Sequence, residues 1–240
     1  MKLIIEHYAK SYGESVVFTD TSISFDEGKI YGLLGRNGSG KSTFFNCLDQ
    51  LIPYDSGEFY LLDEETGEHI ALDSSNLSLV LTDPMLPEFL TGYEFIKAYM
   101  EITGSKELAK IDEYFDLISL AREDQNKLIK DYSMGMKNKI QILMSLISKP
   151  KVILLDEPLT SFDIIVASEI KELLKSLKET HIIIFSTHIL ELAKTMCDEI
   201  VVINNKTMEA IDSSIIQSAE FEERIVEILK NEEINQPSNN

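Results

Sequence analysis

The residues best equipped for chemistry stand at the end of a run that reads as a buried strand, Lys29–Leu34. There the chain continues Gly35-Arg36-Asn37-Gly38-Ser39-Gly40-Lys41-Ser42, with Thr43 next. This is the Walker A spacing in its required context, an apolar strand before it and a helix after it. Glycine lets the backbone wrap closely, so N–H groups can converge on phosphate oxygens at a helix N-terminus. Gly35, Asn37, Gly38, Ser39, Gly40 and Thr43 form that cradle. Lys41 can reach the outer phosphates of a nucleoside triphosphate, and Ser42 can put its hydroxyl on Mg²⁺. A glycine-rich turn that binds nothing has no need of Lys and Ser in those places. The loop alone does not separate ATP from GTP.

A second chemical cluster follows another apolar run. Val152-Ile153-Leu154-Leu155 ends in Asp156, where a carboxylate can sit beside the phosphate loop and hold Mg²⁺ directly or through water. Glu157 comes one residue beyond and is the candidate general base or water orienter, while Pro158 stops the strand. His188 follows Ile182–Phe185 and the polar pair Ser186-Thr187, so it can donate a hydrogen bond to the last phosphate or to the attacking water. His7, His69 and His181 have no such context and receive no role.

The elements that must position these groups alternate. Lys2–Ile5, Ser15–Phe18 and Ser22–Phe25 read as short strands, with a turn at Tyr12-Gly13. A helix runs from Ser42 to about Leu51, Glu58–Leu62 and His69–Leu72 form an edge hairpin, and Ser78–Leu81 is another strand. From about 88 to 150 the pattern turns helical, at Tyr93–Ile102, Ser105–Leu120 and Met134–Ile147. Strands return at Val152–Leu155, His181–Phe185 and Glu199–Ile203, with helices Ile164–Glu179 and Leu190–Met196 between them. Such alternation predicts an α/β fold. The expectation is a P-loop NTPase core with a mostly parallel sheet, an antiparallel β subdomain and an inserted α-helical subdomain. One nucleotide-binding domain spans 1–230. Glu220–Lys230 reads as a core-packing helix, and 231–240 as a polar flexible tail.

One further motif, Tyr132-Ser133-Met134-Gly135-Met136, completes an ordered set that resembles the ATP-binding cassette (ABC) nucleotide-binding domains over about residues 2 to 210. It is close to that family's Leu-Ser-Gly-Gly-Gln signature. Ser133 can cap the helix that starts near Met134, leaving N–H groups and the positive dipole end for an anion. The resemblance implies that this anion is the last phosphate of ATP held by another subunit's Walker A, and hence a head-to-tail dimer with Ser133 and Gly135 contacting nucleotide. It implies that Tyr12 stacks on adenine and that Asp163 belongs to a loop communicating between the two sites. Where the family carries a glutamine that contacts Mg²⁺, this chain has Leu81-Thr82-Asp83-Pro84. Thr82 is the best-aligned position and Asp83 the nearest polar alternative, so coupling to a membrane partner is open at that point. The signature, with Leu90-Thr91-Gly92, is similar to exporter-type (ABC-2-like) cassettes.

Composition sets the outer limits. A net charge of −19 argues against general attraction to nucleic acid or anionic lipid. Two cysteines in no ligand spacing read as buried structural thiols in a reducing compartment. No secretory signal is visible, and the apolar stretches are too short to span a bilayer. The expectation is an ATPase using ATP and Mg²⁺, cytoplasmic and peripheral at the inner face of the cell membrane. It would power a separate transmembrane permease, for export, alongside a second copy or a paralogous ATP-binding subunit. The alternative class is a soluble ABC ATPase acting on a cytosolic assembly. The long ABC ATPases of DNA repair are disfavoured because Lys41 and Asp156 are 115 positions apart, with no sustained heptads between them.

Overall fold

The computed structural model describes residues 1–105, 107–158, 164–216, 218 and 220–234. Two sheets form its frame. Strands β1 (Lys2–Tyr12), β2 (Ser15–Asp26), β4 (Ser56–Leu62) and β5 (His69–Ala71) make an antiparallel sheet in the order β2-β1-β4-β5. Strands β3 (Ile30–Leu34), β6 (Leu77–Val80), β7 (Val152–Asp156), β8 (Ile182–Thr187), β9 (Glu199–Asn204) and β10 (Thr207–Ile211) make the second, in the order β10-β9-β3-β8-β7-β6. All pairings in this second sheet are parallel except β9 with β10.

The parallel strands are mostly apolar because both faces are covered, with polar residues chiefly at their ends, as at Asp156, Ser186 and Thr187. Successive side chains point to opposite faces. Ile153, Leu155, Ile183 and Phe185 therefore join one core, while Val152, Leu154, Ile182 and Ile184 join the other. The second core lies between the two sheets and takes in Phe44 and Phe45 of helix α1 (Lys41–Leu48), both fully buried. Each such phenylalanine contributes roughly 1.5–3 kcal/mol of burial. The first core is roofed by α2 (Gly92–Ile102), α3 (Ile111–Leu117), α5 (Met134–Ser148), α6 (Ile164–Leu177), α7 (Leu190–Met196), α8 (Ser213–Ile216) and α9 (Phe221–Ile234), with the short polar α4 (Arg122–Gln125) between α3 and α5 in the chain. Helix α9 is pinned by Phe221 and Ile225, both at 0% exposure, so it packs on the core as its spacing suggested. It runs to Ile234, four residues into the stretch expected as a tail.

Three local expectations need correction. The first two strands after the Tyr12-Gly13 turn are one strand, β2; its polar middle is absorbed by irregular pairing with β1, where His7 (φ 52°) and Asp20 (φ 22°) adopt left-handed backbone. The helix expected over Ser105–Leu120 is a 3₁₀ turn at Leu108–Lys110 followed by the shorter α3, because Glu107 is drawn sideways to Lys149 and Tyr114. Strand β10 was not anticipated. Asn205 and Lys206, at φ 49° and 65°, are the left-handed pair that a tight hairpin requires.

Cys47 and Cys197 are both buried, and burial pushes both thiols up in pKa. Cys197 sits so close to β3 that a Cβ on Gly32 would meet its Sγ at 2.6 Å. Both are structural, as their lack of a ligand spacing suggested. Among the described residues no helix is long and apolar enough to cross a membrane.

Candidate active site

Because β3 lies between β8 and β9, the loop after it starts at the middle of the sheet, beside the carboxyl ends of β8 and β7. In open α/β sheets that end is where ligands bind. The loop's backbone depends on glycine at two points, Gly38 at φ 83° and Gly40 at φ 105°. Gly40 has a second reason to lack a side chain: a Cβ there would come within 2.6 Å of Val17 Cγ1 and 2.8 Å of Phe18 Cε2. Strand β2 thus presses the loop into shape. Gly40 also offers no side chain to cap α1, so the first-turn N–H groups of that helix have no capping oxygen. The Ser39 hydroxyl is buried and has no hydrogen-bond partner among the described residues.

Above the loop opens a cleft of about 470 Å³, lined by Tyr12, Val17, Asn37, Gly38, Gly40, Lys41, Ser42, Thr43 and Glu157. That is within the size range of small-molecule sites. Lys41 is only 6% exposed; its Nζ donates to the Gly35 carbonyl at 2.9 Å and the Arg36 carbonyl at 3.2 Å. Burial lowers the pKa of this ammonium, while Glu157 and Asp156 pull it back up. The Glu157 carboxylate stands 3.9 Å away.

Glu157 is held from several sides. Its Oε1 is 3.2 Å from His188 Nδ1, and its backbone sits at φ 48°, a strained conformation for a residue with a side chain. Its N–H donates to the Ser186 hydroxyl at 2.9 Å. That hydroxyl in turn donates to Asp156 Oδ1 at 2.6 Å. Asp156 is 7% exposed and Ser186 fully buried. At the next residue, the Thr187 hydroxyl accepts the Ile189 N–H at 3.0 Å and so shapes the turn that presents His188.

The expected residues thus fall into groups. Tyr12, the loop and Glu157 share one cleft, with His188 joined to it through Glu157 and Asp156 just behind. Gly35 and Ser39 belong to the loop without lining the cleft; Gly35 is where the Ser39 side chain would meet any Cβ. Thr82 does not line the cleft either; its hydroxyl donates to the Asp156 carbonyl at 2.9 Å and braces that strand end. Ser133 and Gly135 are not brought to the cleft. They stand at the start of α5, where the Ser133 hydroxyl caps the helix by accepting the Met136 N–H at 3.2 Å. Asp163 lies outside the described residues.

Two contributors, Ser186 and Lys10, escaped the reading of the sequence, and Tyr132 was read only as part of the signature. Ser186 was passed over as half of a polar pair, although a hydroxyl directly after an apolar strand facing Asp156 was a usable signal. Lys10 is 5% exposed, donates to the Pro53 carbonyl at 2.7 Å and lies 4.4 Å from the ring centroid of Tyr12, itself 52% exposed. Tyr132 donates its hydroxyl to the Asp124 carbonyl at 2.8 Å and fills the place where a Cβ on Gly92 would stand. Its burial pushes the phenol up to about 12.

Metal chemistry can be tested against the donors present. Among the described residues no cluster of three or more His, Cys, Asp and Glu side chains forms a metal site. The cleft offers a hydroxyl at Ser42, and just behind its lining stands the Asp156 carboxylate, hard oxygen donors that suit Mg²⁺ when phosphate oxygens and water complete its shell.

Comparison with known proteins agrees with this arrangement. Residues 18–160 match the family model described as ABC transporter. The chain is 32% identical over 197 residues to the bacitracin transport ATP-binding protein BcrA of Enterococcus faecalis, an alignment covering 81% of this chain and 64% of that protein. It is 31% identical over 197 residues to the lantibiotic transport ATP-binding protein SrtF of Streptococcus pyogenes, covering 82% of this chain and 84% of that protein. A solved ATP-binding subunit of an ABC transporter superposes with a TM-score of 0.81 at 23% identity, over 95% of this chain and 99% of that one. At that identity the superposition speaks for the fold alone, which is the expected α/β one. On its motifs, its sheet order and these matches, the chain belongs to the ABC transporter family.

Proposed function

We propose that this chain binds ATP with Mg²⁺ in the cleft above Gly35–Thr43 and hydrolyses it. The observation that carries the reading is the Glu157–His188 pair at one wall of the cleft, with Glu157 also 3.9 Å from the buried Lys41. Tyr12 stacks on the base, the loop amides and Lys41 hold the phosphate chain, and Ser42 with Asp156 holds the metal. Bound there, Mg²⁺ would offset the charge of the phosphate oxygens. Glu157 orients a water toward the last phosphorus and takes its proton as the new P–O bond forms and the bond to ADP breaks. His188 sits against the same carboxylate oxygen and steadies it. The strained backbone at Glu157 fits a group fixed in advance of reaction. Thr82 reads better as a brace for Asp156 than as a metal contact, since its hydroxyl reaches the Asp156 carbonyl and the residue does not line the cleft.

Ser133 and Gly135 complete the site of a second ATP-binding subunit. Their position at a capped helix start, away from their own cleft, supports that reading. Asp163 remains the proposed link between the two sites. The chain works at the inner face of the cell membrane on a separate permease, a reading supported by relatives named as transport ATP-binding proteins. The relatives' names, together with the exporter-like signature, support an outward-moving amphipathic cargo of antimicrobial type.

The decisive test is Glu157→Gln. ATP binding should stay within about threefold of wild type while phosphate release falls about 10²- to 10⁴-fold. Turnover that survives the substitution would sink the role given to Glu157. Recovery of the chain in a stable soluble complex, with no integral membrane protein, would favour work on a cytosolic assembly instead.

A further inference from the structure

We infer that Ser186 is a positioning residue that sets both acidic groups of the site at once. In the β7–β8 ladder Asp156 and Ser186 are direct partners, and Asp156 is the last residue of its strand. Beyond it the chain swings into the left-handed conformation of Glu157, φ 48°. The Glu157 N–H donates to the Ser186 hydroxyl at 2.9 Å, and the hydroxyl in turn donates to Asp156 Oδ1 at 2.6 Å. One fully buried oxygen therefore acts as acceptor and donor together, which alanine cannot do and threonine can.

The two bonds have different consequences. The bond from Glu157 anchors a backbone turn that a side-chain-bearing residue does not hold unaided, and with it the direction in which the carboxylate leaves the strand end. The bond to Asp156 occupies one carboxylate oxygen and fixes the rotation of the group. The neighbouring Thr187 hydroxyl takes the Ile189 N–H and shapes the turn before and after His188. The end of β8 thus holds the base, the metal-binding carboxylate and the histidine in one register. A buried serine that merely satisfied itself could have bonded to a ladder carbonyl, whereas this one bridges the two residues whose geometry the reaction depends on.

This inference rests on the hydrolytic reading given above, and the experiment separates the two. Ser186→Ala, Ser186→Thr and Glu157→Gln are compared for kcat, KM and nucleotide affinity. Hydrogen exchange at the Glu157 amide is followed by NMR in the nucleotide-free protein. Ser186→Ala should lower kcat about tenfold or more with nucleotide affinity within about threefold. It should also speed exchange at the Glu157 amide by roughly 2- to 10-fold, the loss expected for one hydrogen bond. Ser186→Thr should restore both. A Ser186→Ala protein with wild-type kcat and unchanged exchange overturns the inference even where Glu157→Gln is inactive. Full turnover in Glu157→Gln overturns the hydrolytic reading, and the positioning role with it. If Ser186→Ala does not fold, Ser186→Cys, similar in size but a weak donor and acceptor, is read on the same measurements and should fall between alanine and serine. A wild-type value there for both kcat and exchange again overturns the inference.

Discussion

The two ends of this molecule that could meet a nucleotide are built differently. The cleft end gathers Tyr12, the glycine loop and Glu157 from three separate segments, with His188 and Asp156 behind, and braces them with buried hydroxyls. The α5 end is a helix start capped by its own serine, with Ser133 and Met134 exposed. The first is a pocket; the second is a capped helix start, and a helix N-terminus is by its dipole and free N–H groups a ready anion site.

Substitutions at each end test that contrast. The largest effect on turnover outside Glu157 is expected from Ser133→Arg, which fills the α5 end. Phosphate release should fall about 10²-fold or more, the cost of removing positioned donors, with binding to a single chain unchanged. An equal loss of single-chain affinity by titration would place Ser133 in its own cleft and erase the distinction. Lys41→Ala acts at the other end and should weaken nucleotide binding roughly 10- to 100-fold, as expected for a lost charge-assisted hydrogen bond. Equal affinity would refute the cradle. Gly40→Ala tests the shape of the loop itself and should cost about 1–3 kcal/mol of stability in denaturant unfolding, from the positive φ and the contact with β2. The smallest change is expected at Lys10→Met. Losing the cation beneath the Tyr12 ring should raise KM for ATP about two- to fivefold with kcat unchanged. A matching rise for a triphosphate lacking the base would argue that Lys10 acts on the phosphates and not through Tyr12.

The sequence made the cleft legible because its parts are local: a glycine loop, a carboxylate pair and a histidine each sit at the end of an apolar strand. Strand ends are where a parallel sheet delivers side chains, so the motif and its position came together. Ser186 and Lys10 were missed for the opposite reason. Their roles depend on partners 29 residues and more away, Ser186 on Glu157 and Lys10 on Pro53. A lone Ser or Lys carries no mark of such a partner. The helical region was read less well around residues 105–120, where lateral bonds from Glu107 replace the first turns of a regular helix. Gly92 looked like part of a subfamily motif, and its physical reason, the Tyr132 ring occupying the space of a side chain, became visible only in three dimensions.

The sealed thiols have a practical outcome. Cys47 and Cys197 are the chain's two cysteines, and burial keeps both protonated and shielded. The thiolate is the nucleophile that attacks such reagents, so the native protein should be nearly silent toward maleimide dyes. A Met134→Cys variant, its new sulfur at a site 42% open to solvent, would then take up a fluorophore selectively, and quenching of that dye would time the arrival of whatever closes over the helix start.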